Sequence, residues 1–577
     1  MVRLSVPRVV SGGSTTYYGP VSYSVSNQAG GVEFQGTISF SGTGGSTTSA
    51  ISGWITTSAS DPISAVAVGT LERMSTSVYS SDGHRVNESR AYFLIPGSGS
   101  GTEGTNYDAV RHGYDDAGRR WRTKDATGTI RRTVFDALGR ATESWTGTND
   151  SSFTGGESSG TDTMVKTEVM VYDAGGSKAN SLLTSRTQDP DGNWGTTTDQ
   201  RVTTYAHDVR NRVVLTTNPQ SPHVLTKYDN LGRVTATGTY SSTASITPGT
   251  TDPAGTATND KANRLSSSET FYDELGRVWK TVTHKVLVSD GSFNTANDLT
   301  SLTWYDASSR VIKTVGGGSS IGKSFYDRLG RATNQFTLAK TNDAASGTSQ
   351  GYTDAGTVTG DTVLDERQTY FDATSGLVLM SVSIARHHDD TTTTGALDTD
   401  TDLSLVDFSG SKIKGRAQIA VTFHDAWRRP TDTVAYGTNA AANYDRDSES
   451  SAPARSDTKL VTTTTYAADG TVLETTDPRG LVSRTVLDDA GRTIKTIRNY
   501  TDGTPGGGTN ADQDQTIEYA YSKGLMTTYT AKMPGGTDQV TTYIYGTTKG
   551  TTAGLSAIAT GHLLRATKYP DSSNAGT

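Results

Sequence analysis

The residues most able to do chemistry are an aspartate and an arginine that recur together. The string aromatic-Asp-x-x-Gly-Arg stands at Tyr114, Asp115, Gly118 and Arg119, and again at Phe135, Asp136, Gly139 and Arg140. It returns at Tyr228, Asp229, Gly232 and Arg233, at Tyr272, Asp273, Gly276 and Arg277, and at Tyr326, Asp327, Gly330 and Arg331. A sixth copy has Leu487 before Asp488, Gly491 and Arg492. A carboxylate beside a guanidinium could move a proton or hold a polar substrate. Six copies argue against that reading, because a catalytic constellation is not repeated along a chain. Turn chemistry explains the residues without it. Asp at the head of a turn accepts backbone N–H groups two residues on, and Gly three residues later supplies the left-handed conformation that closes it. Arg is then free to pair with a carboxylate or to stack on an aromatic of the adjacent hairpin.

Other clusters are weaker. His387, His388, Asp389 and Asp390 are the densest set of metal-type ligands. Neighbours on a strand point to opposite faces, so a loop would be needed to converge them, and a solvated loop is expected. Asp398-Thr-Asp-Thr-Asp402 starts like a calcium loop but has Leu403 and Ser409 where Gly and Glu are required. Asp189-Pro-Asp-Gly192 reads as a turn. The sequence has no nucleophile elbow, phosphate loop, dinucleotide fingerprint or His-Glu-x-x-His. With no cysteine there is no disulfide, thiolate metal site or cysteine nucleophile. The expectation is a protein without enzymatic activity, cofactor or metal.

The elements that carry these turns are strands. The segments after each Arg alternate, as in Val234-Thr-Ala-Thr-Gly-Thr-Tyr240 and Val278-Trp-Lys-Thr-Val-Thr-His284. A second turn follows at Asp125–Gly128, Asp189–Gly192, Asn218–Gln220 and Asp477–Gly480. Looser copies of the first turn stand at His207-Asp208, Tyr305-Asp306, Phe371-Asp372, His424-Asp425 and Tyr172-Asp173. Asp115 and Asp136 lie 21 residues apart, as do Asp208 and Asp229, and Asp306 and Asp327. First, second and third members of this triplet repeat every 93–100 residues. Asp82 reads as a degenerate third member, and a fourth superrepeat starting at Asp425 reads as irregular. Asn211, Ser309 and Arg428 replace the turn glycine, which predicts a different turn at that position of each coil. Stretches 146–163, 239–263, 341–361, 388–402, 437–457 and 501–515 are Gly/Ser/Thr/Asp-rich and recur at one phase, so they are candidate contact surfaces on one face or rim. Residues 1–78 lack the string and read as further strands, a degenerate repeat or an edge cap. Residues 79–577 read as the repeat region.

The motif, its spacing and the Thr-rich strands resemble the YD/RHS-repeat family, over roughly residues 79–570. The resemblance implies an all-β fold, a continuous antiparallel hairpin sheet curled into a hollow barrel-like shell or tube. It implies that the Tyr-Asp pairs build the sheet and are not catalytic. Family members include toxin-encapsulating proteins and the extracellular teneurin ectodomains. The closing core signature of toxin-type members, with its self-cleaving aspartates, and a toxin domain are absent from the sequence, so neither autoproteolysis nor toxicity is expected of it.

Charge and hydropathy bound the partners. Fifty-two basic against 60 acidic residues give a net charge of −8, without the basic face that nucleic acid requires. No apolar run is long enough to span a membrane, and Met1–Val10 lacks a secretory apolar core. The chain reads as a segment of a longer protein. The functional expectation is a structural β-shell in an extracellular or cell-surface assembly, a placement implied by the resemblance, with a head-to-tail filament as one form, through self-association or through other parts of a longer parent chain. One alternative is a cocoon around a polypeptide cargo. Another is surface or carbohydrate adhesion through rim loops and aromatics such as Trp54, Trp121, Trp145, Trp194 and Trp279.

Overall fold

A computed structural model gives the fold. It describes residues 2–6, 8–11, 14–17, 20–39, 70–153, 163–173, 181–194, 198–317, 321–339, 352–467, 470–488, 490–504, 512–522, 524–533, 536–546 and 562–570. The protein is nearly all β, with one antiparallel sheet of 33 strands. Helix is confined to single turns such as Thr258–Lys261 and Tyr352–Ala355.

The strands pair with their neighbours along the chain, as hairpin follows hairpin. Strand His223–Tyr228 pairs with Val234–Tyr240, which pairs with Arg264–Tyr272, which pairs with Val278–His284. At each Tyr-Asp turn the register slips by one residue, placing Tyr228 opposite Val234 and Tyr326 opposite Ala332. This bulge is the geometric consequence of a left-handed Gly inside the turn. The chain divides into two compact units, residues 1–168 with 464–577, and residues 169–463.

In the first unit the core is formed by Val21, Tyr23, Phe34, Met74, Tyr92 and Tyr107, with a smaller cluster of Ile130, Trp145 and Met164. Here late hairpins touch early ones. Arg492 Nη2 lies 3.3 Å from Glu72, and His562 Nδ1 lies 2.9 Å from Asp108.

The second unit has unlike faces. One face carries Leu225, Tyr240, Phe336, Val382, Ile384, Ile419 and Val434, all buried. The cross-strand registers line up its polar members too: Lys313 opposite Lys323, and Phe336 opposite Glu366. The opposite face, with Thr283, Thr337, Asp365, Arg367, Ser383, Arg416 and Gln418, is exposed. What covers the first face is the insertions. Ile246 packs against Leu215, Leu225 and Tyr240. Val358, Leu397, Val406 and Tyr444 belong to the same core as Phe336 and Val382. Of the stretches read from sequence as contact surfaces, 239–263, 352–361, 388–402 and 437–457 therefore serve first as a roof over an apolar sheet face. Of those stretches, 154–162, 341–351 and 505–511 lie outside the described residues, as does Trp54.

Candidate functional site

The recurring Asp–Arg pair is assembled by the turn itself. In the turn of Asp229, the Asp229 N–H donates to Arg233 O and the Gly232 N–H to Asp229 O. Asp229 Oδ1 accepts the N–H groups of Leu231 and Arg233, both at 2.9 Å, and Oδ2 accepts Arg233 Nε at 2.7 Å. Asp115, Asp136, Asp273, Asp327 and Asp488 hold Arg119, Arg140, Arg277, Arg331 and Arg492 in the same way, at 2.6–2.7 Å. Gly118, Gly139, Gly232, Gly276, Gly330 and Gly491 have φ between 74° and 86°, where a Cβ would be strained. The Arg233 backbone N–H and side chain hold the Asp229 carboxyl below its ordinary value, and Arg140 does the same to Asp136. The pair is thus consumed within its own turn.

The rest of the arginine reaches the next turn in seven copies. The Arg233 guanidinium lies over the Tyr272 ring at 4.4 Å, Arg212 over Tyr228 at 4.6 Å, Arg277 over Tyr305 at 4.5 Å and Arg310 over Tyr326 at 4.8 Å. Arg119 and Arg331 lie over Phe135 and Phe371, and Arg492 over Tyr521. Arg212 and Arg310 also donate through Nη1 to the carbonyls of Asp229 and Asp327. Each tyrosine hydroxyl in turn donates to the residue that opens the strand after the preceding turn. Tyr114 reaches Val86, Tyr228 reaches Val213, Tyr272 reaches Val234 and Tyr326 reaches Val311, at 2.8–3.1 Å. Links of this kind join the turns of Asp115 and Asp136 in the first unit, and those from Asp208 to Asp372 in the second, into a ladder along a rim of the sheet.

The ladder contains copies that the motif does not reveal. Asn27 heads such a turn, with its side chain accepting the Gly31 N–H at 2.8 Å and Gly30 at φ 88°. Tyr79 donates to Val32 as the other tyrosines do, and its ring packs where a Cβ on Gly31 would stand. Residues 1–78 therefore include a rung. Ser80, not Asp82, heads the next turn: its N–H donates to Arg85 O and its hydroxyl accepts the Arg85 N–H. Ala467 heads another, donating to Thr471 O. Ala467 stands 21 residues before Asp488, so the regular triplet resumes there and the Asp425 hairpin is an extra one before it. Asn211, Ser309 and Arg428 have φ of 64°, 63° and 67° with unchanged turn hydrogen bonds. The expected different turn is not formed; the same turn is made with a non-glycine residue in it.

The other clusters resolve individually. Asp390 is held down to about 2 chiefly by the Thr393 N–H and hydroxyl, then by the Thr392 N–H, and it pairs with Arg386. His387, His388 and Asp389 are exposed. Asp400 and Asp407 both hold Lys412 Nζ, at 3.0 and 2.7 Å, so an internal cation occupies the middle of that loop. Asp398 is buried, and burial raises its carboxyl, as it does that of Glu366. Glu366 receives the Leu397 and Asp398 N–H groups and the Gln368 amide, which fastens the insertion to the sheet. Asp189 does head a turn, accepting the Gly192 N–H at 2.8 Å. Sequence reading missed that Asp199 joins Asp189 and Asp191, with ligand atoms within 4.8 Å of one another. Asp199 follows in a separate segment, and no local spacing signals the approach. Trp145 is buried, while Trp279 and Trp427 are exposed.

No family model matches the chain, and no curated protein matches it. Solved structures resemble it across 93–94% of its length. These include TcdB2-TccC3 at 12% identity and TM-score 0.27, of which 36% is covered, and the same pair with Cdc42 at the same values. A third is the Tc holotoxin pore of Photorhabdus luminescens, at 13% identity and TM-score 0.25, of which 31% is covered. The chain thus spans less than two fifths of the length of the solved chains it matches. The family resemblance therefore stands on the repeated motif and its turn geometry.

Proposed function

We propose that this chain is a non-enzymatic structural protein, a length of YD-type β wall in an extracellular or cell-surface assembly. The observation that carries this reading is the ladder. Every strict Asp–Arg ion pair is closed within its own turn, and five of the six arginines also cover the aromatic of the next turn, so the most repeated polar residues stabilise the wall rather than standing open to a substrate. Cryo-electron microscopy of the purified chain tests it. Particles bounded by a single continuous β layer around an interior are expected. A solid two-layer sandwich would overturn the proposal, and an extra polypeptide retained inside the particles would move it to a cocoon for cargo.

A further inference from the structure

The second unit has two rims. At the turn rim the tips carry apolar and basic side chains in the open: Leu231, Leu275 and Leu329 are 74–78% exposed, Trp427 is 68% exposed, and Arg328 and Arg428 beside them are exposed. These side chains are held rigidly, because the N–H groups of Leu231, Leu275, Leu329 and Trp427 each bind the turn aspartate. Successive tips are two strands apart, about 10 Å. The opposite rim is where strands Arg264–Tyr272, Leu299–Tyr305, Val363–Phe371 and Leu460–Tyr466 begin. It carries its own exposed apolar row, Leu265, Leu299, Leu364 and Leu460, at 39–54% exposure. Exposed carboxylates flank that row at Asp191, Asp389 and Asp457, and at Asp290, which also pairs with Lys261. Apart from Glu274 the exposed charges beside these tips are basic, and the other rim is apolar and mainly acidic, with Lys285 among its carboxylates.

The first unit already contains this contact within one chain. The tip of the Asp488 turn meets the start of an early strand: Arg492 pairs with Glu72, and a Cβ on Gly491 would stand 3.3 Å from Pro20. The tip at Gly524 abuts Arg73 in the same way. Pro20 immediately precedes strand Val21–Ser26, and Glu72 and Arg73 lie near the start of Thr70–Tyr79, both strands leading into a turn of the ladder. Tip on strand start, arginine on carboxylate, is therefore a packing mode this sequence uses.

We propose that the turn rim of the second unit docks on the strand-start rim of a second copy of this chain, by the contact that the Asp488 and Gly524 turns make internally. The two surfaces differ, so the contact is head-to-tail and can propagate. Leucine meets leucine at its centre, and Arg328 and Arg428 meet the acidic flank. The inference specifies the self-association of the proposed wall and rests on that reading.

The absence of cysteine makes the polarity testable with the full chain. Protein carrying Leu329→Cys is mixed with protein carrying Leu364→Cys under mild oxidation. Disulfide-linked dimers of the mixture, with few or none from either variant alone, are expected. Crosslinking of the Leu329→Cys protein with itself in preference to the mixture would overturn the head-to-tail polarity. In sedimentation velocity, the untagged chain should gain mass with concentration. Combined Leu231→Asp, Leu275→Asp and Leu329→Asp should move that association to about tenfold higher concentration or beyond, as should Arg328→Glu with Arg428→Glu. Unchanged thermal unfolding shows that the variants are folded, since all these side chains are exposed. Wild-type monomers at every concentration, or variants that associate like wild type, would overturn the inference. A continuous β wall in micrographs of such monomers would leave the wall reading standing, so the two failures are distinguishable.

Discussion

At the scale of the residue, one conformation decides the turn. The glycine position is left-handed in every strict copy, and Ser309 adopts φ 63° in the same turn. A Cβ there costs about 1 kcal/mol, so Ser309→Gly should raise stability by ~0.5 kcal/mol once the extra freedom of the unfolded chain is set against it. Gly330→Ala should lower stability by ~1 kcal/mol. Denaturant midpoints of the two variants check both signs. Tyr326→Phe removes the hydroxyl bond to Val311 O and should cost about 1 kcal/mol, while Arg310→Ala removes the pair with Asp306, the contact with Tyr326 and the bond to Asp327 O together and should cost more. The turn carboxylates also set a pH dependence. Asp136 and Asp229 are lowered below their ordinary 3.8 by the backbone N–H of Arg140 and Arg233 and then by the arginine side chains, against an opposing push from burial. A lowered folded-state value favours folding above the unfolded-state value, and that contribution is lost as pH falls through the folded one. Stability should therefore be steady in this respect above about pH 5 and fall below about pH 4. Asp136→Asn with Asp229→Asn should flatten that fall; an equally steep acid limb in the double variant would exclude these turns as its cause.

At the scale of the element, the hairpin was legible in the sequence because its chemistry is local. Asp, Gly and Arg within five residues announce both the turn and the strands on either side. Asn27 and Ala467 escaped the motif, and the degenerate turn read at Asp82 is headed by Ser80, because the turn needs only an acceptor or a tolerated residue at its head, and three different side chains meet that need. The arginine-to-next-tyrosine contact could be named from sequence only as one option among two. It depends on which hairpin lies alongside, and the structure has both options at once. The roof over the second unit was not legible at all. Gly- and Thr-rich stretches look solvated, yet Leu397, Val406 and Tyr444 close a core, and Asp361 neutralises the buried Lys323. That pair gives the roof a clear test. Asp361→Ala leaves a buried ammonium without its carboxylate and should cost ~3–5 kcal/mol. Hydrogen exchange should accelerate at 352–363 and in strand Ile321–Tyr326 while the turns of Asp229 and Asp273 keep their protection. Uniform acceleration through the unit would mean instead that roof and sheet unfold as one.

At the scale of the whole molecule, a sheet built from sequential hairpins has contacts mostly between strands that follow one another along the chain, and its closures between distant strands stand out for that reason. In the first unit His562 reaches Asp108 across 454 residues at 2.9 Å and sets its ring edge-on to Phe93, with centroids 5.6 Å apart. No motif announces this pairing; neither residue belongs to a turn, and nothing in a linear repeat says which late strand returns to which early one. The beginning and the end of the chain thus lie in one compact unit and residues 169–463 in the other, and we expect the beginning and end to be energetically coupled. Removing one side chain should expose that coupling. His562→Ala leaves the Asp108 carboxylate, which is largely buried at 10% side-chain exposure, without its partner, and should cost ~1–3 kcal/mol. Amide exchange should accelerate in strand Tyr107–Tyr114 and in strand Leu564–Lys568, two segments far apart in sequence, while strands between Arg201 and Arg386 keep their protection. Acceleration confined to residues near 562 would mean that the late hairpins merely rest on the early ones there, and that the Arg492–Glu72 pair and the Gly491 and Gly524 tips on Pro20 and Arg73 carry the contact instead.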